Sequence, residues 1–399
     1  MTWTSAEPWE RKALNDTSRN LHCSGLKNGS ANVSRIWKKE DDRIMDIFFE
    51  LLQVATGGRN LLSRAISEKE WSDIYEMSLK QTVAGVIFSG VERLSEEQRP
   101  PRNIIIKWFS LVNKIEARNR RVNEVAVNVS RRLCRDGFRN VILKGQGIAA
   151  FYPQPLRRQS GDIDIWLEGT REKILTYVRQ FVPDAEALYH HVEFPVMKDV
   201  AIEVHFIPSF CINPFTDKHI QKFFEDEAVF NNYVSLPDNV GLIAIPTERL
   251  NRIFLMRHIF GHFLGEGIGL RQIMDYYYLL ENSKSPKASV EELQLLKKLG
   301  MYKFAGALMY VLHHVLGLKQ ERMIVPMNEN EGHFLIEEIM QTGNFGHDDA
   351  RTRGHRANSH IGRFLQRQYF YMRMLRYYPG EVMWMPYFDI KRFIKSKID

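Results

Sequence analysis

The stretch that decides the fold lies between Val141 and Phe206. It runs through Leu143-Lys144-Gly145-Gln146-Gly147 and then Arg157-Arg158-Gln159-Ser160-Gly161-Asp162-Ile163-Asp164-Ile165-Trp166-Leu167. It closes on Val200-Ala201-Ile202-Glu203-Val204-His205-Phe206. Acids stand at i and i+2 inside one apolar run, and a third acid stands inside another. Side chains alternate faces along a strand, so Asp162 and Asp164 share one face while Ile163 and Ile165 share the other. In the second run Glu203 and His205 point one way, and Ile202, Val204 and Phe206 the other. Neighbouring strands lie about 4.8 Å apart. Pairing of these two runs in the right register brings the three acids to one point.

Three converging carboxylates repel one another unless a cation sits between them. Hard oxygen donors with no nearby cysteine suit Mg²⁺, which takes one or two carboxylates together with substrate phosphates. Two-metal phosphoryl or nucleotidyl transfer needs such an arrangement. Taken alone, an Asp-x-Asp is also what the wet face of a half-buried strand looks like. The surroundings favour the functional reading: a Gly-flanked turn with a lysine, two arginines and a Ser-Gly all precede the acids.

The pattern Leu143-Lys144-Gly145, Arg158-x-Ser160-Gly161-Asp162-Ile163-Asp164 and Ile202-Glu203-Val204-His205 resembles the DNA polymerase β-type nucleotidyltransferase superfamily. More narrowly it resembles a largely uncharacterised bacterial nucleotidyltransferase family, often found near surface-polysaccharide genes. The narrower resemblance extends through the helical stretch from His258 to Asp275. It implies that Asp162, Asp164 and Glu203 are the catalytic, metal-holding residues, with two Mg²⁺ ions. It also implies that the turn near Gly145 contacts the triphosphate of a nucleotide such as ATP. The sequence departs from the superfamily at the usual Gly-Ser, which here is Gly145-Gln146. Lys144, Gly145, Gln146, Arg158, Ser160 and Gly161 are the expected nucleotide contacts. Arg158 is preferred to Arg157 because it is nearer the acids and fits the family pattern, and a guanidinium fork matches phosphate oxygens.

The chain has 399 residues, 44% of them hydrophobic, and a formal net charge of +7. That length suggests two or three domains with ample core. The mild positive charge is compatible with nucleotides, nucleic acid or an anionic membrane surface. Cys23, Cys134 and Cys211 are far apart and lack metal-ligand spacing, which argues against a disulfide framework or a structural zinc site. The first residues carry no apolar signal region, and no run approaches the length of a membrane span. A cytoplasmic location is the expectation.

The expected fold class is α+β: an α/β nucleotidyltransferase core with a small mixed β-sheet, flanked by N-terminal and C-terminal helical regions. Residues 1–38, rich in Ser, Asn, Thr and Gly, read as a disordered lead. Residues 39–137 read as helical, with apolar spacing from Asp41 and a long helix from Ile104 to about Asp136. The arginines between Arg118 and Arg135 read as its solvated face. The α/β core spans 138–215. It has strands at Asn140–Leu143 and Asp162–Leu167, a helix over Thr170–Phe181, and a hairpin turned at Lys198-Asp199. Residues 216–342 read as a helical domain, one helix opening at Pro246-Thr247-Glu248. Residues 343–399 read as a mobile loop to about 360 and then a basic tail.

His258 and His262 have helical ligand spacing, but Ile259 stands where a zinc protease needs Glu. His258, Arg271, Asp275 and His205 are instead candidate cleft residues. Arg271 and Asp275, at i and i+4, also fit a surface pair. The basic, aromatic tail after Arg351 reads as a segment closing the fold. Contact with anionic lipid or nucleic acid is the alternative. The expected reaction is transfer of a nucleoside monophosphate from a triphosphate to an unknown acceptor. Two rivals are a non-catalytic nucleotide-binding module on the same fold, and a membrane-surface transferase acting on a polysaccharide precursor.

Overall fold

A computed structural model of the chain describes residues 32–344 and 360–390. The expected disordered lead up to residue 31, most of the expected mobile loop and the last basic residues lie outside the described residues. The architecture is α+β, as the sequence implies. Helix α1 (Asn32–Thr56) begins ahead of the expected Asp41. α2 (Glu68–Lys80) opens on a capping box, Ser67 receiving the Glu70 amide and Glu70 the Ser67 amide. α3 (Ala84–Arg93) leads to α4 (Arg102–Arg135), which starts after Pro101 and ends before Gly137.

α4 is the spine of the molecule. Its first half, through Ile104, Trp108 and Val112, packs into the helical core. Its second half, through Val122, Val125, Ala126, Val129 and Leu133, packs under the sheet. One helix therefore couples two cores. The arginines expected on its solvated face are partly engaged. Arg121 donates to Asp199 at 2.7 Å, Arg118 to the Asp199 carbonyl, and Arg120 lies 3.0 Å from Asp238.

After α4 come β1 (Asn140–Ile142), the short α5 (Gln146–Ala149), β2 (Ile163–Leu167) and α6 (Arg171–Arg179). β3 (His191–Glu193) and β4 (Ile202–His205) follow. The sheet order is β1-β2-β4-β3. β1 runs antiparallel to β2, β2 parallel to β4, and β3 antiparallel to β4 as the expected hairpin. Ile163, Ile165, Ile202 and Val204 are all buried on the side of α4 and α6, as strict alternation requires.

α7 (Pro214–Asp226) precedes a feature the sequence reading missed. The stretch expected to be helical contains a hairpin, β5 (Tyr233–Ser235) with β6 (Leu242–Ala244). Each strand is only three residues long, too short for alternation to show. Its continuation at Ile245 packs against α5, where a Cβ on Gly147 would come within 2.7 Å of the Ile245 side chain. α8 (Glu248–Gly265), α9 (Leu270–Glu281), α10 (Val290–Lys298), α11 (Tyr302–Leu316) and α12 (Glu329–Thr342) complete the helical layer. α13 (His360–Leu375) and α14 (Pro379–Val382) then return to it, burying Tyr371, Met374, Tyr378, Val382 and Met385. Among the described residues, no helix is long and apolar enough to cross a membrane.

Candidate active site

The parallel register sets Asp164 directly beside Glu203. Asp162 lies just ahead of β2, on the same side as Asp164. Carboxylate oxygens of Asp162, Asp164 and Glu203 lie within 4.8 Å of one another. All three line one cavity of about 1290 Å³. Nucleotide-sized pockets are typically about 300–1,000 Å³, so there is room for a second substrate beside a nucleotide.

Asp164 is almost fully buried, and its Oδ1 meets two cations or donors. Lys144 Nζ and His205 Nε2 each lie 3.1 Å from it. Its Oδ2 is buried with no hydrogen-bond partner among the described residues. Burial opposes the charge on Asp164, but Lys144 and His205 outweigh it and hold the carboxyl well below its ordinary range. The Asp164 charge, followed by burial, pushes Asp162 up. Burial opposes the charge on Glu203, but the His205 hydrogen bond and the neighbouring His191 and His205 imidazoles together lower its pKa. Burial opposes the charge on Lys144, yet the three acids together raise it. Lys144 thus serves as counter-ion to the trio. A buried, unpartnered carboxylate oxygen amid three hard donors fits a divalent cation such as Mg²⁺.

The turn before the acids behaves differently from expectation. Gly145 adopts φ +60°, ψ −113°, a backbone that glycine alone takes without strain, and it lines the cavity. Gln146 does not. It is buried and donates to Asn123 Oδ1 at 2.7 Å, so its side chain braces α5 on α4. Gly161 lines the cavity, while Ser160 lies behind the wall with its hydroxyl buried.

Arg158 lines the cavity, but it is already partnered. Its fork closes on Asp275, Nε to Oδ1 at 2.6 Å and an Nη to Oδ2 at 2.7 Å, with both residues buried. Tyr152 donates to the same Asp275 Oδ1 at 2.7 Å. The bidentate face that would grip phosphate is therefore spent on α9. Asp275 is consequently not a surface partner of Arg271. Arg271 donates to the Gln159 carbonyl at 3.2 Å, and its Nε is buried with no hydrogen-bond partner among the described residues. Burial, and then the neighbouring Arg158 charge, lower its pKa. It is a cation in the cavity wall without a carboxylate fork of its own among the described residues.

His205 and His258 both line the cavity, as expected of cleft residues. Burial, then Lys144 and His262, keep His258 far below the ordinary imidazole value. The sequence reading missed the rest of the wall. His190 and His191 stand beside His205, ring centroids 5.3 Å away in each case. The far end is aromatic, built from Tyr189, Phe210, Trp384, Tyr387 and Phe388. The last three come from beyond α14. That segment is fastened by a buried ion pair, Arg257 to Glu381 at 3.1 Å, and by the Ile212 amide donating to Glu381 at 2.7 Å. The aromatic spacing of the tail was visible in sequence, but nothing local said which surface it would cover.

A mixed sheet with these acids on one face of its two central strands is the core of a nucleotidyltransferase-type protein. A family model described as "Uncharacterised nucleotidyltransferase" matches residues 67–317, and the chain belongs to that family. No curated protein matches the sequence. Among solved structures, an antigenic nucleotidyltransferase-like protein from Paracoccidioides brasiliensis is similar at 11% identity and a TM-score of 0.31. That match covers 53% of this chain and 96% of the other.

Proposed function

We propose that the protein transfers a nucleoside monophosphate from a nucleoside triphosphate to an acceptor hydroxyl or phosphate. The observation that carries this reading is the Asp164–Glu203 register, which gathers three acids on the floor of a cavity larger than a nucleotide. In the reaction the acceptor oxygen forms a bond to the α-phosphorus, and the bond from that phosphorus to the pyrophosphate oxygen breaks. Asp162, Asp164 and Glu203 would hold the divalent cations. Such ions, when bound, lower the pKa of an attacking hydroxyl and neutralise the transferring phosphoryl group.

The chain's own residues do the rest. His205 fixes Asp164 and Glu203 in position through its Nε2. Lys144, whose ammonium stands 3.1 Å from Asp164 in the cavity wall, would meet a phosphate oxygen. Arg271, rather than Arg158, offsets charge on the β- and γ-phosphates, because among the described residues its guanidinium has no carboxylate partner, whereas that of Arg158 is held by Asp275. The aromatic end receives the acceptor and excludes water from it.

The test is a screen of the four triphosphates for Mg²⁺-dependent pyrophosphate release with candidate acceptors. Asp162→Ala and Asp164→Ala should each abolish release. A rate unchanged in either variant would overturn the assignment.

A further inference from the structure

The face that carries the acids also carries imidazoles. β4 places Glu203 and His205 two residues apart, so both leave the same face. β3 sets His191 directly opposite His205 in the antiparallel register. His191 Nδ1 lies 3.6 Å, and His205 Nε2 3.5 Å, from one oxygen, Glu203 Oε2. Donor atoms of the three residues lie within 4.8 Å of one another. Zinc bonds of about 2.0–2.2 Å imply donor-to-donor edges of about 3.3–3.5 Å around a tetrahedral ion. Two edges of such a site are already close to that length.

We propose that His191, Glu203 and His205 form a second cation site, selective for a borderline transition ion such as Zn²⁺ and sharing Glu203 with the Asp162–Asp164 site. The donor set argues for the selectivity: imidazole suits zinc and its neighbours, whereas carboxylate oxygens alone suit Mg²⁺. All three residues line the cavity, so a fourth position would face substrate. Three protein ligands with an open position distinguish catalytic zinc sites from closed structural ones. Loading would displace protons now shared between His191 Nδ1 and His190 Nε2 at 2.9 Å, and between His205 Nε2 and Asp164 Oδ1. The role of the site rests on the nucleotidyl-transfer reading: an ion held here would orient and polarise the acceptor beside the cations of the acidic trio.

Binding itself does not depend on that reading, and this separates the two tests. The full chain, stripped with chelator, is titrated with Zn²⁺ by calorimetry in millimolar Mg²⁺. It is titrated separately with Co²⁺, followed by visible absorption. One Zn²⁺ per chain is expected. His191→Gln and His205→Gln should each weaken it at least tenfold, while Asp162→Asn should hold it within about threefold. The intense visible band of tetrahedral Co²⁺ should persist in Asp162→Asn and vanish in His191→Gln. Melting curves establish that each variant is folded, and either histidine variant suffices. Three results would overturn the proposal: no Zn²⁺ uptake at micromolar concentration by the natural sequence, undiminished uptake by both histidine variants, or loss of Zn²⁺ in Asp162→Asn. Zn²⁺ uptake of the expected pattern without any triphosphate turnover would sink the functional reading and leave the site standing.

Discussion

Asp275→Ala should be among the most damaging single substitutions outside the acidic trio. Arg158 is 6% exposed and Asp275 5% exposed, and two charge-assisted hydrogen bonds of 2.6 and 2.7 Å join them. The substitution leaves a guanidinium and the Tyr152 hydroxyl in a buried site with no carboxylate. Breaking a buried pair by removing one partner costs about 3–5 kcal/mol, because the surviving charge keeps its desolvation penalty. Replacing both partners by apolar groups removes that penalty. Arg158→Met combined with Asp275→Leu should therefore recover most of the loss. Thermal and denaturant melts of the two single variants and the double variant give the cycle. A loss below about 1 kcal/mol for Asp275→Ala, or a double variant as unstable as the worse single one, would refute the claim that this buried pair fastens the loop ahead of β2 to α9.

Other outcomes follow from single contacts. Arg271→Gln should weaken binding of inorganic tripolyphosphate at least tenfold, with Arg271→Lys intermediate; equal affinity in all three proteins would remove Arg271 from the phosphate site. Gly85→Ala should destabilise by about 1–3 kcal/mol, since the added Cβ would lie 2.2 Å from the Arg157 carbonyl oxygen, and a melt unchanged from the natural sequence would contradict that contact. The Arg64 hydrogen bond holds Glu70 down to about 2 against an ordinary 4.5. A lowered carboxyl stabilises above its unfolded pKa and stops doing so as pH falls through the folded one. The stability gap between the natural sequence and Glu70→Gln should accordingly narrow from about pH 4.5 toward pH 2, and a gap constant across that window would show that the capping charge contributes nothing.

Much of the core was legible because strand patterning is local. Ile163 and Ile165 alternate with the acids, and Ile202 and Val204 alternate with Glu203 and His205, so the buried and polar faces follow from a period of two. α4 was legible for the same kind of reason, its apolar spacing being bounded by Pro101 and Gly137. The Asp275 partner of Arg158 is not legible, because a guanidinium fits phosphate and carboxylate equally well and that partner stands 117 positions away on α9. His190 and His191 are not legible as site residues, because two adjacent histidines carry no spacing signal until β3 pairs with β4.

From the linear sequence alone came the acid-bearing strands, most of the helices, the faces of those strands and the kind of chemistry that hard oxygen donors support, since each depends on residues a few positions apart. Only the folded chain decided that β2 and β4 run parallel with Asp164 beside Glu203, that Arg158 is spent on Asp275 while Arg271 is not, and that Trp384, Tyr387 and Phe388 wall the far end of the cavity. Those outcomes are set by how distant segments pack and by which buried charges find partners, and neither is written in the order of neighbouring residues.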